Sequence, residues 1–123
     1  MKEQVPATAK GVDRIIKAAG YSWQGISYAF RNEAAFRQEC ALLLIAINVA
    51  LVSDISATQK ILLIGSVTFV LIVEIINSAI EAVVDRFGKE FHPLSKAAKD
   101  MGSAAVFIAL ALAASVWLLV FFG

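Results

Sequence analysis

Cysteine is all but absent: Cys40 stands alone among 123 residues, which excludes an intrachain disulfide and any metal cluster built on thiolates. At the start of an apolar run it reads as a small buried residue. Excess charge of either sign is missing too. Eleven Lys and Arg face ten Asp and Glu, so the net charge is +1 and no basic field points to nucleic acid. The first apolar run starts only after residue 39, behind a polar segment, so no cleavable signal peptide is expected. Familiar nucleotide motifs are also lacking: there is no GxxxxGKS or GxxxxGKT, no GxGxxG after a strand, and no HRD or DFG element. Asp100-Met101-Gly102 is not a DFG equivalent. Any phosphoryl chemistry here needs a site unlike those of the soluble kinases.

Apolar residues are abundant instead. They make up 59% of the chain, and a mean hydropathy of +0.76 places it, as one all-α domain spanning residues 1–123, in a membrane. The stretch that organises it is Ile61 to Asp85, long and apolar enough to cross a bilayer, yet carrying Glu74, Asn77, Glu81 and Asp85 in its second half. An ionisable group inside a span is costly unless it faces protein or water, which makes these acids a functional-site hypothesis by default. At about 100° per residue, Glu74, Ser78, Glu81 and Asp85 fall within roughly 40° of one another, with Asn77 about 60° to one side. One face of the helix is acidic; the others are Val, Ile, Leu and Phe.

Along the chain, residues 1–10 read as a loose tail. From Gly11 to Gly20, Val12, Ile15, Ile16 and Ala19 recur at helical spacing opposite Asp13, Arg14 and Lys17, which describes an amphipathic helix on a membrane surface, ended or bent at Gly20. Tyr21 and Trp23 suit the headgroup level. Ser27 to Glu39 merges without Pro or Gly into Cys40 to Val52, so a first span is expected over about 32–53, with Glu33 at its boundary. A second follows over 60–85, then a polar stretch with Gly88 and Pro93 as breakers, then a third over 102–122. Gly102, Ala105, Ala109 and Ala113 permit close helix contact there. Trp117, Phe121 and Phe122 fit the far interface. Basic residues crowd the N-terminal segment and the 86–101 loop, which puts both on the cytoplasmic side of the membrane.

Glu33 and Glu81 then lie at similar depth on different helices. With Asn77 and Asp85 nearby they suit Mg²⁺, which takes one or two carboxylates and fills its shell with water and phosphate oxygens. Lys99, with Arg14 as a helper, can neutralise phosphate charge. Glu74, deeper in the apolar layer, is a candidate general base for a hydroxyl that lives in lipid. The layout brings a water-borne phosphoryl donor to a lipid-borne acceptor. Intramembrane carboxylates also serve as proton relays in transporters, so the residues alone leave that choice open.

The segments RIIKAAGYSWQG (Arg14 to Gly25), NEAAFRQE (Asn32 to Glu39), VEIINSAIEAVVDR (Val73 to Arg86) and AKDMGSAAV (Ala98 to Val106) resemble the bacterial integral-membrane diacylglycerol kinases, a family that also includes undecaprenol kinase. The resemblance implies a homotrimer of three-span subunits with active sites built between them, and Mg²⁺- and ATP-dependent phosphorylation of diacylglycerol to phosphatidic acid. By position it makes Glu74 the general base and Glu33 and Glu81 the metal ligands. Arg14, Tyr21, Glu33, Asn77, Glu81, Asp85, Glu90, His92, Lys99 and Asp100 become nucleotide-site residues. Arg14, Trp23, Glu39, Glu74 and Ser103 line the lipid site.

Plainer roles stand beside these. Glu33 can complement the positive start of its helix, Lys99 can be a positive-inside anchor, and His92 beside Pro93 can be a solvated turn residue. Asn48 is expected to make an interhelical hydrogen bond. Two rivals to the diacylglycerol reading remain: a kinase of the same fold acting on undecaprenol, and a small oligomeric proton-coupled transporter using Glu74 as its relay.

Overall fold

The structure is a computed structural model and describes residues 10–123; apart from Lys10, the expected tail lies outside the described residues. Four helices make up the fold: α1 (Gly11–Asn32), α2 (Ala34–Val52), α3 (Ala57–Asp85) and α4 (Pro93–Phe122). The last three are long and apolar enough to cross a membrane. Short connections make α2, α3 and α4 sequential neighbours. Among the described residues α3 packs against both α2 and α4, whereas α2 and α4 do not meet. The three long helices therefore form an open row with α3 in the middle, and α1 touches only α2 and α3.

This arrangement assigns the faces of α3. Leu63, Ser66, Val67, Val70, Leu71, Glu74 and Asn77 are buried between the flanking helices. Ile61, Phe69, Ile72, Ile76 and Val83, on the opposite side, are bare. The acidic face inferred from the spacing is thus packed at Glu74, half-buried at Ser78 and Glu81, and exposed by Asp85 at the helix end. Where α1 ends, Ala29, Phe36 and Leu71 form a small core joined by Cys40, Leu43 and Ile75. Cys40, expected to be buried, is half-buried.

Several boundaries differ from the expectation. α1 does not stop at Gly20; it runs on through Gly20 and Gly25 to Asn32. A helical glycine costs about 1 kcal/mol relative to alanine, which a long helix absorbs. α2 begins at Ala34, close to the expected start near residue 32; the extended backbone of Glu33 (φ −120°, ψ 110°) ends α1 and starts α2. Arg37 fastens both sides of the break: its N–H donates to Glu33 O at 3.2 Å and its Nη1 to Phe30 O at 2.8 Å. α3 starts at Ala57, slightly earlier than expected, on a Ser56/Gln59 capping box. α4 starts well before residue 102. Pro93 opens it rather than breaking a loop, and His92 Nδ1 caps it by accepting from Leu94 N at 3.1 Å. Only residues 86–92 remain as the turn, where Gly88 has φ +99°.

Asn48 does not reach another helix. Its Nδ2 donates to Leu44 O of its own helix at 2.8 Å, because α2 has a neighbour on one side only and Asn48 is on an exposed face. The interhelical bond is made elsewhere: Trp117 Nε1 donates to Leu63 O at 3.2 Å, with Phe121 tilted against the indole at 5.9 Å between ring centroids. Hydrogen bonds between membrane helices average about 0.6 kcal/mol and reach roughly 1.7. Trp117→Phe is therefore expected to cost about 1 kcal/mol, read as an earlier thermal melt in detergent.

Candidate active site

The packed face of α3 carries acids on successive turns, and the flanking helices meet them with polar groups of their own. Glu74 is only 7% exposed. It faces Glu39 of α2 within hydrogen-bonding reach, and the charges of Glu81 and Glu33 also bear on it. Four carboxylates from two helices and the break between α1 and α2 thus converge. Glu39 Oε1 is buried and finds no donor, and neither does the Ser78 hydroxyl on the same face. Glu39 Oε1 is therefore an acceptor free to meet a ligand that brings a hydrogen-bond donor, such as a hydroxyl.

One turn beyond, Asn77 Nδ2 donates to Glu81 Oε2 at 3.4 Å. The end of α3 is tied to α4 by Lys99 Nζ and Asp85 Oδ1 at 2.7 Å, and Lys96 Nζ pairs with Asp100 Oδ2 at 2.6 Å along α4. These charges line a cleft of about 940 Å³ at the α3–α4 turn, walled also by Phe87, Glu90, Phe91 and His92. The ladder of acids on α3 ends in this cleft, where lysines first appear.

The structure brings together Glu39, Glu74, Glu33 and Glu81, and separately Asp85, Glu90, His92, Lys99 and Asp100. Arg14, Tyr21 and Trp23 are exposed on α1 and do not line the cleft, and Ser103 is exposed on α4. Lys96 is a site residue that the sequence reading passed over. Its signal was the four-residue spacing to Asp100, which has meaning only once both are known to lie on one helix.

Among the described residues no group of three or more His, Cys, Asp or Glu side chains is disposed to hold a metal ion by itself.

A model of the prokaryotic diacylglycerol kinase family matches residues 20–121. The chain belongs to this family. It is 60% identical over 107 residues to the diacylglycerol kinase of Escherichia coli (strain K12), covering 87% of this chain and 88% of that protein. Identity to the diacylglycerol kinase of Pseudomonas aeruginosa is 50% over 113 residues, covering 92% of each chain. To that of Helicobacter pylori (strain J99) it is 43% over 114 residues, covering 93% and 89%. The matched region contains every candidate residue except Arg14. The chain is a membrane enzyme of the kinase class, and the transporter expectation is set aside.

Proposed function

We propose that the chain transfers the γ-phosphoryl group of ATP to the primary hydroxyl of diacylglycerol, giving phosphatidic acid at the cytoplasmic face of a bacterial inner membrane. The observation that carries this reading is the pairing of buried Glu74 with half-buried Glu39, whose Oε1 lacks a donor, on the helix that ends in a lysine-bearing cleft. Glu74 takes the hydroxyl proton as the oxygen attacks, with Glu39 beside it to orient the hydroxyl. Lys99, and Lys96 one turn before it on α4, neutralise phosphate charge. Glu33 and Glu81 would hold Mg²⁺, which when bound screens the phosphates of the nucleotide. Transfer is direct and in line, so most of the rate comes from positioning and charge neutralisation.

A homotrimer, N-terminus cytoplasmic, accounts for what one copy leaves unfinished. The row of helices leaves Glu33 and Glu81 half-buried and the outer face of α3 bare, so neighbouring copies are needed to close the site. α1, carrying Arg14, Tyr21 and Trp23, then lies on the membrane surface as a flap over a site that includes a neighbour's residues.

The test is radiolabel transfer from γ-labelled ATP with Mg²⁺ to a short-chain diacylglycerol in mixed micelles, run beside undecaprenol. Label in phosphatidic acid is the expected outcome. Label mainly in undecaprenyl phosphate would reassign the lipid while leaving the mechanism standing, and label in neither would overturn the reading.

A further inference from the structure

We propose that Gly102 is a positioning residue for Glu81, acting through Asn77; the inference rests on the reading of Glu81 as a ligand of the nucleotide-bound divalent cation. Gly102 is buried on α4 where it crosses α3. A Cβ at this position would overlap Asn77 Oδ1 and stand 3.2 Å from Asn77 Cγ. At Gly20, Gly25 and Gly65, the other glycines inside helices, a Cβ would meet nothing. The backbone of Gly102 is ordinary helix, open to any residue. What demands glycine here is the Asn77 carboxamide and nothing else close by.

The two ends of that carboxamide do different things. Nδ2 donates to Glu81 Oε2, whereas Oδ1 is buried without a hydrogen-bond donor and rests on the Cα–H side of Gly102. The Asn77–Glu81 bond is long at 3.4 Å, and the terminal torsion of asparagine is soft, so the bond alone is a weak restraint. The close approach of α4 supplies the missing one. With Oδ1 seated in the space left by the absent side chain, supported by a weak C–H···O contact, Nδ2 is directed at Glu81. A methyl group at 102 forces the carboxamide to swing and takes Nδ2 off Glu81. The carboxylate then loses the partner that fixes its orientation.

A double-mutant cycle on the full-length protein in mixed micelles tests this, using Gly102→Ala, Asn77→Ala and the double variant. One readout is the half-saturating Mg²⁺ concentration for phosphoryl transfer; the other is Mn²⁺ binding in the presence of ATP, followed by electron paramagnetic resonance, which needs no lipid turnover. Loss of a supporting hydrogen bond to a metal ligand weakens metal affinity about 10–100-fold. Gly102→Ala is expected to raise both constants about tenfold with KM for diacylglycerol unchanged. In the Asn77→Ala background, which has room for the methyl group, it should add less than about twofold. Equal losses in both backgrounds, or no change from Gly102→Ala, would overturn the inference and leave Gly102 a packing residue. Should Gly102→Ala fail to fold, folding restored by Asn77→Ala places the conflict on the carboxamide as proposed, and no restoration overturns it. Failure of the wild type to phosphorylate diacylglycerol would count against the proposed function, whereas the Mn²⁺ cycle would still decide the role of Gly102.

Discussion

Glu74→Gln is expected to lower phosphoryl transfer to diacylglycerol about a thousandfold while leaving the protein as stable as before or more so. A positioned general base contributes about 10²–10⁴-fold, and glutamine of the same size and shape cannot accept the hydroxyl proton. The stability side follows from Glu39. Its Oε1 is buried with no donor, and the glutamine amide supplies one. Activity and melting temperature should therefore part company, as expected where a site keeps unsatisfied groups for function. A paired measurement of both in the same micelles decides the matter. An equal loss of melting temperature would make Glu74 a structural acid, and retained activity would move the base elsewhere. Glu39→Gln should cost less, about tenfold, because Glu39 orients the hydroxyl and does not take its proton.

What could be read without coordinates was governed by periodicity. Glu74, Ser78, Glu81 and Asp85 share a face because a helix returns every 3.6 residues, and an uninterrupted apolar run guarantees the helix. Burial of that face follows from the cost of exposing it to lipid. The start of the first span near residue 32 was legible, because the apolar run from Cys40 is too short to cross alone and takes up polar residues ahead of it. That the segment before it, free of proline and glycine from Ser27 on, is the end of α1 was not legible; Arg37 braces the break between them. Pro93 was read as a loop breaker when it is the first residue of α4, an ambiguity inherent to proline, which ends one helix as readily as it begins another. That error hid the Lys96–Asp100 pair, since residues in a loop have no four-residue neighbour. Asn77 was legible as a polar residue beside the acidic face. Its dependence on Gly102 was not, because contact between α3 and α4 is a property of the fold and of neither segment alone.

Lys99→Met is expected to raise KM for ATP and lower kcat, together costing about 10²–10³ in kcat/KM, with almost no change in stability. Methionine keeps most of the side chain's length and apolar stem and removes only the charge. Lys99 and Asp85 are close, but both are exposed and flank a large open cleft, and exposed ion pairs contribute little to folding. The same exposure leaves the ammonium free to meet phosphate, where a preorganised cation opposite developing charge is worth about 10²–10³ in rate. Asp85 sharpens the contrast, because in the free protein it holds Lys99 in place and so competes for the charge that the nucleotide needs. Asp85→Asn should leave the lysine in the cleft, less well aimed, and cost less than Lys99→Met. Steady-state kinetics with ATP varied at saturating diacylglycerol, at low and at high salt, separate the two. If Lys99 were only a topological anchor, Lys99→Met would change the amount of protein inserted and leave KM for ATP where it was. A gap in KM between Lys99→Met and the wild type that narrows as salt increases identifies a lysine whose partner is the nucleotide.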